Sequence, residues 1–167
     1  MKVLETQRLL LRRFIPEDAP FILELLNDPG FIENIVDRGV RTIPDAEAYL
    51  VNGPLASYEK NGFGLYALVL KATAEPIGMC GLIRRDTLED VDIGYALLAR
   101  HCGQGYATEA ARATLGYGLG NLGLKRVVAV TDPDNTSSSH VLEKIGMRFE
   151  KVIPWDSGKE EVKLYST

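Results

Sequence analysis

ARHCGQGYATEAAR, residues 99–112, contains two glycines separated by one residue in front of an alanine-rich run with helical spacing. The apolar stretch DIGYALL (92–98) precedes it, so the order is strand, glycine-rich turn, helix. Such a turn leaves N–H groups at the helix start without intrahelical partners. Because Gly103 and Gly105 have no Cβ, an anion can approach this backbone closely. The stretch therefore predicts an anion-binding turn, with Arg100 adding a positive charge at its edge.

Other interpretations of the same turn are weaker. A P-loop would need Lys-Ser/Thr after its second glycine, and a dinucleotide-binding turn would need a third glycine where Thr108 stands. A metal site or a Cys-His pair built on His101 and Cys102 lacks partners, because His140 is the only other histidine in the sequence. We therefore expect no metal. An ordinary tight connection between strand and helix remains an alternative to the anion site.

Length, composition and charge restrict the class of protein. A chain of 167 residues, 46% hydrophobic and 25% charged, predicts a single domain spanning residues 1–167. No apolar run approaches the roughly 18 residues of a membrane span, and the net charge of −4 comes without a basic cluster, so we expect neither membrane nor nucleic acid as partner. Cys80 and Cys102 are far apart, which favours reduced thiols and a cytoplasmic location.

The pattern along the chain predicts an α+β fold, in which helices flank a mixed sheet. The predicted order is β-α-α-β-β-β-α-β-α-β-β, and the last two strands join around DSGK (156–159). Gly53-Pro54 is expected to break or kink the second helix. Strands are predicted within 5–14, 63–71, 76–85, 90–98, 125–131, 147–155 and 160–166, and helices within 15–28, 44–62, 108–123 and 135–146.

Three segments together resemble the GNAT N-acetyltransferase superfamily. Arg100-His-Cys-Gly103-Gln-Gly105 fits its hallmark [Q/R]-x-x-G-x-[G/A]. The longer string DIGYALLARHCGQGYATEA (92–110), with LETQRLLLRRF (4–14) and TDPDNTSSSHVLEKIGMRFE (131–150), is similar to the RimJ/RimL-like branch of ribosomal-protein N-terminal acetyltransferases. The resemblance runs in order from Leu4 to about Leu164.

This resemblance implies a fold and an activity. The fold is a mixed, mostly antiparallel, twisted sheet of six to seven strands flanked by about four helices. It is splayed between its fourth and fifth strands, where acetyl-CoA lies. The activity is transfer of an acetyl group from acetyl-CoA to a primary amine, with CoA as product, by direct attack in a ternary complex. The partner is a small-molecule amine or a peptide N-terminus, and a homodimer is compatible with such a fold.

The resemblance also implies where acetyl-CoA is held. Backbone groups of the fourth strand would pair with the pantetheine arm as an added strand does, and N–H groups of the glycine turn would bind the diphosphate. Asn135 would hold the pantetheine, and it also fits the N-cap of the helix that it precedes. The implied cofactor-binding residues are Ala96, Leu97, Leu98, Arg100, Gly103, Gln104, Gly105, Tyr106, Ala107, Thr108, Asn135 and Ser138.

Candidate catalytic residues follow from the same comparison. Asp92 precedes IGYALL, where family members place a carboxylate that takes the amine proton directly or through water; a raised pKa would suit this role. Asp90, two residues earlier on the same strand face, is the second choice, and either acid could instead be a solvated residue at the strand edge. Ser138 is the candidate acid near the sulfur, since Leu142 stands where many members carry a tyrosine acid. The catalytic set is therefore Asp92, Ser138 and Asn135.

The acceptor is left open by the sequence. Protein N-termini, aminoglycosides, polyamines and amino acids all remain candidates, and Glu33 is a residue that could bind the acceptor amine. His140 fits a surface position better than a catalytic one. The alternative function is a catalytically weak CoA-binding sensor or scaffold module with the same fold.

Overall fold

Eight strands form one mixed sheet in the computed structural model, which describes residues 1–155 and 159–167. The turn predicted around residues 156–159 therefore lies largely outside the described residues. The strands are β1 (Lys2–Glu5), β2 (Leu9–Arg12), β3 (Leu65–Leu70), β4 (Pro76–Ile83), β5 (Val91–Leu97), β6 (Val127–Thr131), β7 (Arg148–Pro154) and β8 (Glu161–Ser166). Their spatial order is β1-β2-β3-β4-β5-β6-β8-β7, with β5 and β6 parallel and the other neighbours antiparallel.

The α+β fold and the mixed sheet are confirmed, with one strand more than the six to seven expected. The additional strand arises because the strand predicted within 5–14 is replaced by a hairpin of β1 and β2. Thr6 makes the turn: its N–H donates to the Leu9 carbonyl at 2.9 Å, and its Oγ1 accepts from the Leu9 N–H at 3.1 Å. A short turn that contains no glycine or proline leaves little signal in the sequence and is therefore hard to predict.

Six α-helices within the described residues cover the sheet. Gly53-Pro54 lies in a π-helical turn, Val51–Leu55, which interrupts the second predicted helix as expected. A short helix also forms after Asp28, whose side chain accepts from the Gly30 N–H at 3.0 Å as an N-cap. The helices are α1 (Ala19–Leu26), α2 (Pro29–Asn34), α3 (Ile43–Leu50), α4 (Ala56–Asn61), α5 (Tyr106–Gly116) and α6 (Thr136–Lys144).

The core is divided by the sheet into two sides. On one side, α1 to α3 pack apolar residues such as Ile22 and Leu50 against Ala96 of β5. On the other side, Ala111 of α5 packs in a cluster with Ile93 of β5. Because side chains alternate between the faces of a strand, Asp92 lies on the face of Ala96, and Tyr95 lies on the face of Ile93.

Strands β5 and β6 separate after a short pairing. Val91 pairs with Val127 and Asp92 with Val128, whereas β5 continues to Leu97 and β6 to Thr131. The expected splay between the fourth and fifth predicted strands is thus confirmed. It opens a wedge through the sheet, bordered by the glycine turn on one side and by α2 and α3 on the other.

Candidate active site

The wedge between β5 and β6 contains a cleft of about 620 Å³, a volume typical of small-molecule sites. Its lining includes strand β5 with the turn that follows, the first turn of α6, the end of β6, and α2 and α3 with the loop between them. Gly103, Gly105, Asn135 and Ser138 all lie in this lining. The structure therefore brings most of the predicted site residues around one cavity.

The glycine turn exposes backbone donors to the cleft. Gly103 and Gly105 have φ angles of +79° and +82°, a left-handed conformation that favours glycine. The first intrahelical bond of α5 runs from the Glu109 N–H to the Gly105 carbonyl at 3.1 Å. The N–H groups of residues 106–108 precede that bond and have no intrahelical partner, so the helix start is suited to an anion. Tyr106, Ala107 and Thr108 line the cleft.

Arg8 holds the turn from outside, and sequence reasoning missed this residue. Its Nη1 donates to the Gln104 carbonyl at 2.9 Å, and its Nε donates to Oε1 of Glu109 at 2.7 Å. Its guanidinium also lies over the Tyr106 ring, 4.4 Å from the ring centre. Gln104 thus offers its carbonyl to Arg8, and its side chain is not part of the cleft lining.

Arg100 is placed differently from the expectation. Its Nη1 donates to Oε2 of Glu24 on α1 at 2.8 Å, and its Nη2 is 3.8 Å from a carboxylate oxygen of Glu75. It does not belong to the cleft lining, because the 3-10 turn Ala99–His101 presents its side chain to these two acids. The expected contact of Arg100 with a diphosphate is therefore not supported.

Leu98 is also corrected by the structure. Its N–H donates to the Ile77 carbonyl at 2.9 Å, and its carbonyl accepts from the His101 N–H at 2.9 Å. Its side chain is buried in the core beside α1. Both backbone groups of Leu98 are thus already engaged, and they are not available for pairing with a pantetheine arm.

The direction of the Leu98 N–H hydrogen bond also shows which way the other backbone groups of β5 point. Backbone groups alternate in direction along a strand, so Ala96 turns its N–H and carbonyl towards β4, where it faces Met79. Tyr95 and Leu97 turn theirs towards the splay. Ala96 and Leu97 both line the cleft, but the free strand edge is that of Tyr95 and Leu97.

Tyr95 joins the two sides of the splay. Its hydroxyl lies 2.8 Å from Oγ of Ser138 and 3.2 Å from the Ser138 carbonyl oxygen. Asn135 caps α6 as expected, with its Oδ1 accepting from the Ser138 N–H at 3.1 Å. Burial raises the pKa of Tyr95 to about 12, so its hydroxyl is protonated at neutral pH. Leu142 is buried in the core below them.

Asp92 lies at the closed end of the splay, on the opposite face of β5 from Tyr95. It is 1% exposed, and its Oδ1 accepts from Nε of Arg85 at 2.9 Å. Burial raises the pKa of Asp92, and the positive charge of Arg85 limits this rise. The Arg85 guanidinium lies 5.5 Å from the centre of the Trp155 ring. Asp90, the second choice, pairs with Arg126 at 3.0 Å outside the cleft lining.

The other sequence candidates lie away from this arrangement. Glu33 is exposed outside the lining, and its carbonyl accepts from Nζ of Lys159 at 2.8 Å. His140 is exposed, as expected, and Cys80 is buried against Thr114. Across the described ranges 1–155 and 159–167, no group of acids, histidines and cysteines is arranged to hold a metal ion. No helix in those ranges is both long and apolar enough to cross a membrane.

Comparison with known proteins gives a consistent result. Residues 8–148 match the family described as Acetyltransferase (GNAT) domain. The uncharacterized protein YkkB of Bacillus subtilis is 34% identical over 153 residues, which cover 90% of this chain and 87% of that protein. An acetyltransferase of the GNAT family from Bacillus anthracis has a similar structure, with a TM-score of 0.81 and 28% identity over 98% of this chain and 96% of that one. The fold is also that of RimL, a ribosomal L7/L12 alpha-N-protein acetyltransferase solved with coenzyme A (TM-score 0.86, 15% identity, 100% and 97% coverage).

Proposed function

Since this chain belongs to the GNAT acetyltransferase family, we propose that it transfers an acetyl group from acetyl-CoA to a primary amine by direct attack in a ternary complex. The observation that carries the proposal is the continuity of the cleft. It runs from the glycine turn, along the free edge of β5, to the buried Asp92 on the other face of the sheet. Acetyl-CoA supplies the acetyl group as a thioester, and this chain supplies the positioning and the proton transfers.

The glycine turn provides the binding of the CoA diphosphate. Free N–H groups of residues 106–108 and the adjoining glycines point at the anion, and the N-terminal end of α5 favours negative charge. Backbone groups of Tyr95 and Leu97 pair with the pantetheine arm along the open strand edge. Asn135 and Ser138, at the start of α6, close this path from the other side of the splay.

Two proton transfers complete the reaction. Asp92 accepts the proton that the attacking amine must lose, and its burial makes the carboxylate more basic than an exposed one. The Ser138 hydroxyl, hydrogen-bonded to Tyr95, donates a proton to the departing thiolate and regains one from solvent water. Because Asp92 and Tyr95 lie on opposite faces of β5, the acceptor approaches from the α2–α3 side and acetyl-CoA from the α5 side.

The experiment is thermal unfolding with acetyl-CoA, CoA, NADH and ATP, each titrated against the wild type, Gly105→Glu and Gly116→Glu. A ligand at 100 times its Kd stabilises the native state by about 2.7 kcal/mol. Acetyl-CoA and CoA should raise the wild-type midpoint, while NADH and ATP should not. Gly105→Glu should abolish the shift, since it forces a side chain into φ +82° and adds a negative charge beside the anion site.

Gly116→Glu is the matched control. It adds the same charge to the same helix, at an exposed position where a Cβ meets nothing within 4 Å. It should retain the CoA shift. Absence of any shift with millimolar CoA in the wild type would refute the proposal. A shift without acetylation of any amine in a broad panel would favour the CoA-binding module instead.

A further inference from the structure

Among the described residues, the acceptor side of the cleft carries more positive charge than its acids neutralise. The lining there includes Arg38, in the loop between α2 and α3, and Arg85, which follows β4. We call these two residues the arginine pair. Their surroundings indicate the chemical class of the acceptor.

Each acid that lines the cleft in ranges 1–155 and 159–167 is already engaged. Asp92 accepts from Arg85, and Asp132 pairs with Lys159 at 2.8 Å. The remaining one, Asp28, accepts from the backbone N–H groups of Gly30 and Ala99, each at 3.0 Å. Asp37, which precedes Arg38 in the sequence, forms an ion pair with Arg41 at 2.6 Å. Among the described residues, Arg38 therefore has no carboxylate within 4 Å.

Arg85 is held in a fixed orientation with part of its donor capacity free. Its Nε is bound to Asp92, and the Trp155 ring lies against its guanidinium. Within the described part of the chain, its Nη1 and Nη2 make no hydrogen bond to protein. A guanidinium presents a planar fork of donors that matches carboxylate and phosphate groups in two-point contact.

Tyr49 supplies a third donor in the lining of the same cleft. Burial raises the pKa of Tyr49, and the positive charges of Arg38 and Arg85 act against that rise. The Tyr49 side chain lines the cleft and forms no hydrogen bond with any described residue. Two guanidinium groups and an available hydroxyl form a site suited to an anion.

We propose that the acceptor is a small primary amine that also carries a carboxylate or phosphate group, and that Arg38, Arg85 and Tyr49 bind this anion while Asp92 faces the amine. The proposal rests on the acetyl-transfer function given above and specifies its substrate class. Polyamines and aminoglycosides are disfavoured as acceptors. They carry several ammonium groups, which the arginine pair would repel, and Asp92 is the counter-charge that faces them. The pairing of Arg85 with Asp92 also sets the anion beside the reacting nitrogen.

The test compares amines that differ in the anionic group. L-leucine is paired with L-leucinamide, O-phosphoethanolamine is paired with ethanolamine, and spermidine is the cationic probe. The expected kcat/KM is at least about tenfold higher for the anionic member of a pair, as for one charge-assisted contact. The leucine pair tests a carboxylate and the phosphoethanolamine pair tests a phosphate, so the assay shows which anion the site prefers. Arg38→Gln should remove most of this preference through KM, with little effect on the neutral amines.

Arg84→Gln is the matched control, because it removes one positive charge from an exposed neighbour of Arg85 that is not part of the lining. It should keep the preference of the wild type. Equal or faster acetylation of the neutral or cationic probes by the wild type would overturn the proposal while leaving acetyl transfer intact. An equal effect of Arg38→Gln on all probes would also overturn it.

A second readout does not depend on turnover. Calorimetry measures binding of L-leucine and O-phosphoethanolamine to the protein saturated with CoA, for the wild type and for Arg38→Gln. Binding that Arg38→Gln weakens about tenfold supports the anion site even if no acetylation occurs, in which case the acetyl-transfer proposal fails by itself. No binding of either anionic amine, together with no preference in the assay, would overturn the inference.

Discussion

Asp92 illustrates how one residue can be both unfavourable for stability and suited to catalysis. Burial raises its pKa above the ordinary 3.8, despite the Arg85 contact. Between the ordinary and the raised pKa, the folded protein keeps a proton that the unfolded chain releases. Ionising Asp92 therefore lowers stability as the pH rises through that window. A carboxylate maintained at this cost is a stronger base than a solvated one.

We predict that Asp92→Asn lowers kcat for amine acetylation by about 100-fold or more, the usual range for loss of a general base. The wild-type rate should fall as the pH drops through the raised pKa of Asp92, at a higher pH than an ordinary aspartate would give. Steady-state kinetics across pH tests both statements. The thermal shift with acetyl-CoA should persist in Asp92→Asn, since the side chain lies on the other face of β5 from Tyr95 and Ser138.

Asp90→Asn is the control for this prediction. Asp90 is two residues away and ionisable, but it pairs with Arg126 outside the cleft lining. Its substitution should leave kcat and the pH profile unchanged. If Asp90→Asn and Asp92→Asn lower kcat equally, the rate depends on negative charge near β5 and not on a proton acceptor at Asp92.

At the scale of elements, the glycine turn depends on the N-terminal hairpin. Arg8 lies in the turn between β1 and β2, and it contacts Gln104, Tyr106 and Glu109 around the start of α5. The Thr6 hydroxyl adds a bond to Glu109 at 2.6 Å. The hairpin thus fixes the position of backbone donors that α5 alone would leave at a fraying helix end.

We predict that Arg8→Ala weakens CoA binding about tenfold and lowers the free energy of unfolding by about 1 kcal/mol, the contribution of a partly exposed charged hydrogen bond and a cation–π contact. Calorimetric titration with CoA and chemical denaturation give the two values. Arg126→Ala is a suitable control, because Arg126 has a similar exposure of 40% against 42% and two carboxylate partners far from the turn. If Arg126→Ala weakens CoA binding equally, the effect is general destabilisation.

Sequence patterns predicted the elements well where their signals are local. The short apolar run within residues 63–71 marks β3, and the run from Asp92 to Thr108 marks strand, turn and helix. The splay followed from the family resemblance rather than from periodicity. The β1–β2 hairpin was missed because its turn relies on the Thr6 side chain instead of glycine or proline.

Side-chain partners in the site were predicted less well, because they join residues distant in sequence. The Arg8 contact with Gln104 spans 96 residues, and the Tyr95 contact with Ser138 spans 43. Arg100 was assigned to the diphosphate because it adjoins the glycines, yet Glu24, 76 positions earlier, attracts it elsewhere. Alternation along β5 could have indicated that Ala96, Leu97 and Leu98 do not all turn their backbone groups to the same strand edge.

At the scale of the whole molecule, the two faces of the sheet present different kinds of chemical groups. The α5–α6 side presents backbone donors and hydroxyl groups, and the α1–α3 side presents Asp92, Tyr49 and the arginine pair. The splay joins these sides, so in the proposed reaction acetyl-CoA and the acceptor meet inside the sheet without sharing an entrance. This arrangement requires that α1 and α3 stay packed on the sheet, and their attachment depends partly on an ion pair between Arg12 and Asp18.

The Arg12–Asp18 pair anchors the start of α1 to β2. Both Asp18 oxygens accept from Arg12 at 2.8 Å, and Oδ2 also accepts from the Ile15 N–H at 2.9 Å. Burial acts to raise the pKa of Asp18, but these hydrogen bonds and the charge of Arg12 outweigh it and hold the pKa below its ordinary value. The folded state therefore binds this proton less readily than the unfolded state. The resulting stability is complete above the unfolded pKa of about 3.9 and is lost as the pH falls through the folded pKa.

We predict that Asp18→Asn lowers the free energy of unfolding by about 2 kcal/mol at pH 7, in the range for a hydrogen-bonded buried charge. The difference from the wild type should shrink as the pH falls below about 4, because the wild type then loses the same charge. Denaturation curves between pH 7 and pH 2.5 measure it. Asp37→Asn, which removes an exposed pair with Arg41, should barely change the midpoint at any pH. If the free energies of unfolding of the wild type and Asp18→Asn differ by the same amount down to pH 2.5, the shape of the side chain, and not its ionisation, attaches α1 to the sheet.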